Sequence, residues 1–305
     1  MANDSPVNRP IPIILDTDIG QDIDDTWAIA MMLRCPELDV KLIVSDTGDT
    51  EYRARIVAKL LEVAGRTDIP VGVGVPCGHY PQPQAGWVEG YDLARYPGTV
   101  HQDGVNAMIE TIMASPEPVT LIAIGPVPNL AEALRREPRI AQRARFVGMH
   151  GSICLNHDGC PGAIAEYNVE MDIPAAQAAF AADWPMTITP LDTCGRIRLT
   201  GEKYRKIQNS TDPILSALMD NYRIWAEAQH QPNLPEQQST ILYDTVAIYL
   251  AFADDLLVMD DLSIRVRDDG FTVVDPAGKP MRVAMDWKDL PGFEDFLVER
   301  LISPA

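Results

Sequence analysis

The chain has 305 residues, enough for one large α/β domain with a sizeable core. Its formal net charge of −19 would repel nucleic-acid backbones and anionic membranes, so we expect neither as a partner. The five cysteines are odd in number and form no CxxC pair, which argues against a disulfide framework and a zinc knuckle. With no signal-like or membrane-spanning run, the sequence predicts a single cytoplasmic domain over residues 1–305.

The first predicted element is an apolar strand at residues 11–15, followed by an acidic loop and an apolar helical segment at 27–33. The loop holds five carboxylates within ten positions: Asp16, Asp18, Asp22, Asp24 and Asp25. Carboxylates this close raise one another's pKa unless a cation lies among them. Oxygen ligands favour Ca²⁺ or Mg²⁺ over zinc. The alternative is a solvated acidic turn in which Asp24 or Asp25 caps the helix.

Strands and helices alternate from residue 11 to about 192, which indicates a doubly wound, mostly parallel open sheet in an α/β fold. Further strands are predicted at 40–45, 71–75, 119–124, 145–149 and 186–191, and helices at 52–64, 103–114, 130–136 and 172–182. A C-terminal part follows, with helices at 204–208, 214–229, 245–252 and 293–301, a β-hairpin at 262–274 and a strand at 281–285.

Residues 76–101 form a long segment rich in proline, glycine and aromatic residues, as functional flaps and lids often are. Trp87, Tyr91 and Tyr96 could stack on a planar ligand. They could equally hold the segment against the body of the protein.

Polar residues follow several of the predicted strands or begin helices: Asp49, Glu166, Asn168 and Asp244. Because the carboxyl ends of parallel strands meet at one edge of a sheet, these side chains can converge on the acidic loop. The sequence therefore predicts one polar pocket at that edge.

These residues belong to motifs that resemble the inosine–uridine-preferring nucleoside hydrolase family. The resemblance covers most of the chain, through Asp16-Thr17-Asp18, Ala123-Ile124-Gly125-Pro126, Ala165-Glu166-Tyr167-Asn168 and Asp244. It implies Ca²⁺-dependent hydrolysis of the N-glycosidic bond of a ribonucleoside, giving free base and ribose. It also implies a homodimer or homotetramer.

The resemblance implies a role for each matched position. Asp18 would be the general base, and Tyr243 stands where many members have a histidine proposed as the leaving-group acid. The calcium ligands would be Asp18, Asp25, the main-chain carbonyl of Ile124, and Asp244. The substrate-binding residues would be Asp24, Asp49, Met149, Glu166 and Asn168.

The sequence departs from the usual family pattern at three places. The acidic loop is two residues longer, which leaves Asp22 as an extra carboxylate, and Cys160 replaces a sugar-contacting asparagine. Tyr243 replaces the histidine, so the proton donor to the base stays open. The donor could be Tyr243, or one of four histidines: His79, His101, His150 and His157. The base preference also stays open.

Two other functions compete with hydrolysis. One is a calcium-dependent ribose- or nucleoside-binding protein that lacks turnover, which the changes at Tyr243 and Cys160 would fit. The other is a Mg²⁺-dependent phosphatase, because Asp16-Thr17-Asp18 superficially resembles the aspartyl-phosphate enzymes. Scarce cations near the matched strand ends and the net charge of −19 disfavour a phosphorylated substrate.

Overall fold

Ten strands form one continuous sheet in the computed structural model, which describes residues 9–303. In chain order the strands are β1 (Ile11–Thr17), β2 (Leu38–Ser45), β3 (Val71–Val73), β4 (Val100–His101), β5 (Val119–Ala123), β6 (Ala144–Met149), β7 (Met186–Thr189), β8 (Leu257–Val266), β9 (Thr272–Val274) and β10 (Lys279–Trp287). They lie in the order β4-β3-β2-β1-β5-β6-β7-β10-β8-β9. Along this spatial order, every neighbouring pair of strands from β4 through β7 to β10 is parallel. This confirms the predicted mostly parallel α/β sheet.

Helices connect the strands. They are α1 (Asp24–Met32), α2 (Thr50–Val63), α3 (Gly104–Ala114), α4 (Pro128–Arg136), α5 (Tyr167–Glu170), α6 (Ile173–Ala181), α7 (Leu191–Cys194), α8 (Gly201–Gln208), α9 (Pro213–Ala228), α10 (Thr245–Leu250) and α11 (Leu290–Ile302). Within residues 9–303, none of the helices combines the length and apolar character needed to cross a bilayer.

The strand order reverses at β1. From β1 the chain builds outward through β2 and β3 to β4, then returns to the other side of β1 and builds through β5 and β6 to β7. Such a switch point opens a crevice at the carboxyl ends of the two central strands, where α/β proteins bind ligands. Asp16 pairs with Ala123 across β1 and β5, so the acidic loop and Ile124 lie side by side at that crevice.

Hydrophobic cores cover both faces of the sheet. Ile13 and Leu15 point into one core with α1, α2 and the C-terminal helices, while Ile14 between them points into the other with α3, α4 and α6. All three are fully buried. Burial on both faces makes β1 a continuous apolar run rather than an alternating one, as expected of a central parallel strand.

The last three strands complete one edge of the open sheet. β10 pairs in parallel with β7 and antiparallel with β8, and β8 pairs antiparallel with β9. The predicted hairpin at 262–274 is confirmed, with the first strand beginning earlier, at Leu257. Its turn contains Gly270 at a φ of 81°, a left-handed conformation that favours glycine.

The aromatic residues of segment 76–101 hold it against the body of the protein. Trp87 and Tyr96 are buried, Lys59 lies over the Trp87 ring at 4.5 Å, and the Tyr96 hydroxyl donates to the Ile69 carbonyl at 2.7 Å. Tyr91 donates to Glu62 of α2. The alternative in which these rings stack on a ligand does not hold in this structure, because their contacts are with the protein itself.

Candidate active site

The crevice at the switch point opens into a cavity of about 370 Å³, within the range of small-molecule sites. Its lining residues come from the acidic loop, from the strand ends and from several helical segments: Asp18, Gln21, Asp22, Asp24, Asp25, Ile124, Met149, His157, Glu166, Tyr167, Asn168, Leu191, Trp225, Gln229, Tyr243 and Asp244. Segments far apart in sequence therefore meet at one place, as the strand-edge argument predicts.

The acidic loop is held tightly against α2. Gly20 has a φ of 112°, and a Cβ atom there would lie 2.8 Å from the Tyr52 ring, so glycine is required on both counts. The Tyr52 hydroxyl donates to the Gly20 carbonyl at 2.9 Å. Thr17 donates to the Asp25 carboxylate, which fixes the orientation of that side chain.

Asp24, Asp25 and Asp244 form a compact carboxylate triad. Each offers one oxygen within 4.8 Å of the others, and among the described residues this is the one group of three potential metal ligands so arranged. Asp244 occupies the N-cap of α10 without capping it, which leaves its carboxylate free for the cavity. The helix α1 likewise has Ile23 at its N-cap and no side-chain cap, so the alternative of a solvated turn with a capping aspartate is wrong.

The triad is well suited to a divalent cation. Burial, reinforced by neighbouring carboxylates, raises the pKa of Asp24, Asp25 and Asp244 well above the usual value. A cation would relieve both the desolvation and the mutual repulsion. All available ligands are oxygens, which is the chemistry of Ca²⁺ and Mg²⁺. Asp18 borders the same cavity, and burial raises its pKa too.

The predicted carbonyl ligand, Ile124, lies beside this group. Asn168 Nδ2 donates to the Met149 carbonyl at 3.0 Å and to the Ile124 carbonyl at 3.3 Å, tying the ends of β5 and β6 together. A Cβ atom at Gly125 would lie 2.8 Å from the Asp18 side chain, so glycine permits the close approach of β5 to the acidic loop.

Glu166 and Asn168 form a polar wall of the same cavity. The Glu166 carboxylate accepts hydrogen bonds at 2.8 Å from the main-chain nitrogens of Gly151 and Asn168. Burial raises its pKa to about 7. Together with Asn168 and Met149, Glu166 faces the cavity where the sequence predicts sugar binding.

Tyr243 and His157 meet at another part of the cavity lining. The Tyr243 hydroxyl lies 2.9 Å from His157 Nδ1, and their rings meet edge to face with centroids 5.7 Å apart. Burial raises the pKa of Tyr243, so its hydroxyl stays protonated near neutral pH.

The other candidate histidines lie outside the cavity lining. His150 is fully buried against Phe146 and Phe180, and burial lowers its pKa to about 3. His79 is exposed and His101 is half-buried. Of the four histidines, His157 alone lines the cavity.

Asp49 does not reach the cavity, contrary to its predicted role in binding substrate. Its carboxylate caps α2 by accepting from the Tyr52 main-chain nitrogen at 2.9 Å, and it also accepts from Gln82 at 3.1 Å. The side chain is exposed. Cys160, at the position where the resemblance implies a sugar-contacting asparagine, is also exposed and does not line the cavity.

Sequence reasoning missed two buried supports beneath the acidic loop. Arg53 is only 2% exposed, and its guanidinium donates to the carbonyls of Thr47 and Ile19 at 2.9 and 3.0 Å. Asp46 is fully buried next to Asp16, and burial raises the pKa of Asp16 to about 6 and that of Asp46 well above its usual value. The acidity of the segment 46–49 was visible in the sequence, but which aspartate points inward was not.

Two residues at the C-terminal end of α9, the second of them its C-cap, were missed as well. Trp225 and Gln229 lie one helical turn apart and both line the cavity. Trp225 Nε1 donates to the Gln21 carbonyl at 2.9 Å, and the Tyr167 hydroxyl donates to the Gln21 side-chain oxygen at 2.9 Å. The spacing of four residues between Trp225 and Gln229 is the one sequence feature that could have indicated their shared face. Nothing else in α9 marks the face that points into the cavity.

Comparison with known proteins decides the family. The model of the family described as "Inosine-uridine preferring nucleoside hydrolase" matches residues 13–295. The chain belongs to this family. As a nucleoside hydrolase it is an enzyme, and the competing interpretations as a binding protein without turnover and as a phosphatase are set aside.

Named relatives cover nearly the whole nucleoside hydrolase chain. The pyrimidine-specific ribonucleoside hydrolase RihA of Salmonella arizonae is 31% identical, with 95% of this chain and 98% of the relative covered. The protein of the same name from Escherichia coli O9:H4 is 30% identical over the same shares.

Solved structures share the fold. A plant nucleoside hydrolase, PpNRh1, superposes with a TM-score of 0.82 at 23% identity, covering 97% of this chain and 100% of the other. A purine-preferring ribonucleoside hydrolase from Gardnerella vaginalis gives a TM-score of 0.76 at 22% identity, covering 95% and 98%.

Proposed function

We propose that this nucleoside hydrolase cleaves the N-glycosidic bond of ribonucleosides with Ca²⁺ as its cofactor, giving ribose and free base. The observation that carries the proposal is the cavity itself. It joins a buried carboxylate triad to the polar wall of Glu166 and Asn168, so that a metal and a sugar can bind side by side. The RihA relatives are named pyrimidine-specific, so pyrimidine ribonucleosides are the first substrates to test.

Asp18, Asp25, Asp244 and the Ile124 carbonyl would hold the ion, in line with the predicted ligand set. When bound, Ca²⁺ would supply the positive charge that activates a water molecule and anchors the ribose diol. The carboxylate of Asp24 lies within the triad, although the family resemblance assigns it to a sugar hydroxyl. We retain the sugar role for Asp24, which Ca²⁺ titration of Asp24→Asn can test.

Different side chains carry out the separate steps of bond cleavage. Asp18 accepts a proton from the attacking water, which adds to the anomeric carbon as the bond to the base lengthens. The anomeric carbon then carries oxocarbenium character, and the surrounding carboxylates stabilise that positive charge. Glu166 and Asn168 bind ribose hydroxyls, whose burial would be costly without such partners.

The test is a panel of ribonucleosides assayed for release of reducing sugar, with added Ca²⁺ and with a chelator. We expect release from at least one ribonucleoside, and loss of that release in chelator. Asp18→Asn should lower kcat by about 100- to 10,000-fold, the usual contribution of a general base. Asp39→Asn, on an exposed side chain paired with Lys41, is the control. Absence of release across the whole panel with Ca²⁺ present would contradict the proposal.

We also propose that the chain acts as a single domain and as a homodimer or homotetramer in the cytoplasm. These expectations follow from its length and from the family. Size-exclusion chromatography with light scattering measures the subunit number directly.

A further inference from the structure

The departing base leaves with the electron pair of the broken bond, so it needs a proton donor. The carboxylates near the anomeric carbon are needed as anions and as metal ligands, which leaves the proton to another group. In the usual family pattern a histidine precedes the last aspartate ligand, and here that position holds Tyr243. The proton donor must therefore be a different kind of side chain at that position, or another group that lines this cavity.

We propose that His157 and Tyr243 act together as the proton donor to the departing base. The inference rests on the proposed function. Both residues line the cavity, and 2.9 Å separates His157 Nδ1 from the Tyr243 hydroxyl. Tyr243 is half-buried on the cavity side, whereas His157 is exposed. The pair thus connects solvent to the interior of the cavity.

Two coupled proton transfers take place along this pair. As the bond between the anomeric carbon and the base breaks, its electrons pass to the base. The base takes the proton of the Tyr243 hydroxyl. The relay begins with His157 in its imidazolium form: Tyr243 takes the proton of His157 Nδ1 at the same time, so the phenol is restored and the imidazolium becomes a neutral imidazole. His157 then regains a proton from bulk water, to which it is open.

The loop that carries His157 is held firmly in place. The buried carboxylate of Asp192 accepts hydrogen bonds from three successive main-chain nitrogens, those of Ile153, Cys154 and Leu155, at 2.8 to 3.1 Å. On the other side of His157, the Asp158 main-chain nitrogen donates to the Gly195 carbonyl at 2.9 Å. Such anchoring keeps His157 beside Tyr243 through each turnover.

Carboxylates lie on both sides of the pair. Asp158 is paired with Arg198 at 3.1 Å on the outer side, while Asp22 and Asp24 lie on the cavity side of Tyr243. No other histidine among residues 9–303 lines the cavity. His157 acts through Tyr243, and Tyr243 is the group that meets the base.

The experiment compares two leaving groups. Uridine releases a base that needs protonation, whereas 4-nitrophenyl β-ribofuranoside releases a phenolate that leaves without it. The variants are Tyr243→Phe, His157→Phe and His157→Gln. The last keeps a side-chain amide that can hold Tyr243 by a hydrogen bond but supplies no proton. His79→Gln, at an exposed histidine away from the cavity, is the matched control.

We expect each of the three variants to lose about 100-fold in kcat with uridine, the usual scale of general acid catalysis, while nitrophenyl riboside turnover stays within about threefold of wild type. Equal losses on both substrates would show a merely structural role and overturn the inference. Wild-type uridine turnover in His157→Gln would overturn the part played by His157. If the wild-type protein hydrolyses no ribonucleoside, the proposed function itself fails, which is a different result.

Discussion

The guanidinium of Arg53 donates from Nη1 to the main-chain carbonyl of Ile19 at 3.0 Å. This contact places a buried cation of α2 directly beneath the acidic loop. The positive charge lowers the pKa of Asp18, Asp25 and Asp46, in opposition to the larger effect of burial. Arg53 is thus the protein's own counterion for the site, and it acts whether or not a metal is bound.

Replacing this arginine tests its role as counterion. In chelator, Arg53→Met should lower the free energy of unfolding by about 3 kcal/mol or more, because it leaves buried carboxylates without their cation. Added Ca²⁺ should restore part of the loss. Urea denaturation measures both quantities. Arg135→Met, at an exposed arginine of α4, is the control, and equal stability of the two variants would contradict the prediction.

A pair of variants separates metal binding from sugar binding. Asp25→Asn should weaken Ca²⁺ binding by about tenfold or more, since it removes a charged ligand. Asp24→Asn should leave Ca²⁺ affinity near that of wild type and raise KM for the ribonucleoside. Calorimetric titration of each variant with Ca²⁺ gives the affinity. A matching loss of Ca²⁺ affinity in Asp24→Asn would make Asp24 a metal ligand and refute its role at the sugar.

The position of Asp49 predicts a structural effect without a catalytic one. Asp49→Ala removes the cap of α2 and should lower the free energy of unfolding by about 1 kcal/mol. KM and kcat measured below the unfolding range should stay within about twofold of wild type, since the side chain does not line the cavity. Asp49→Asn keeps a capping oxygen and serves as the control. A large rise in KM for Asp49→Ala would restore the predicted contact with substrate.

The burial of His150 makes the free energy of unfolding depend on pH. Burial lowers the pKa of His150 from 6.5 to about 3, so the unfolded chain takes up a proton below pH 6.5 while the folded chain does not. The contribution of the neutral His150 to the free energy of unfolding is therefore fully present above pH 6.5. It is lost as the pH falls towards 3, by at most about 1.4 kcal/mol per pH unit.

The variant His150→Leu should reduce that slope, whatever its effect on stability at neutral pH. Denaturant unfolding in chelator between pH 4 and pH 7 gives the slope for each protein. His79→Leu, at an exposed histidine, should keep the wild-type slope. If His150→Leu keeps it too, the histidine does not carry the effect.

Local sequence pattern was sufficient for nine of the ten strands and for the carboxylates of the first loop, whereas β4 lies in the segment predicted as a flap. The apolar run, the acidic residues and the apolar helical segment after them predict a strand, a loop and a helix, and parallel strands bring their carboxyl ends to one edge. Asp24, Asp25 and Asp244 meet for this reason although most of the chain separates the last from the others.

The residues beneath the site could not be predicted in the same way. Arg53 lies among charged residues of an amphipathic helix, and the pattern places such residues outside. It is buried because the segment 46–49 folds over it, with Thr47 and Gly48 at φ values of 49° and 58°. That turn also decides that Asp46 points inward and Asp49 outward. Neither outcome depends on local propensity, since both follow from tertiary packing.

The position of β10 has a consequence for synthesis of the chain. β10 lies between β7 and β8, so the edge of β7 stays unpaired until residues 279–287 have left the ribosome. An open parallel edge is a template for pairing with another chain. The nascent protein therefore passes through a period in which the sheet is exposed to aggregation, and a product that ends before β10 would keep that exposed edge permanently.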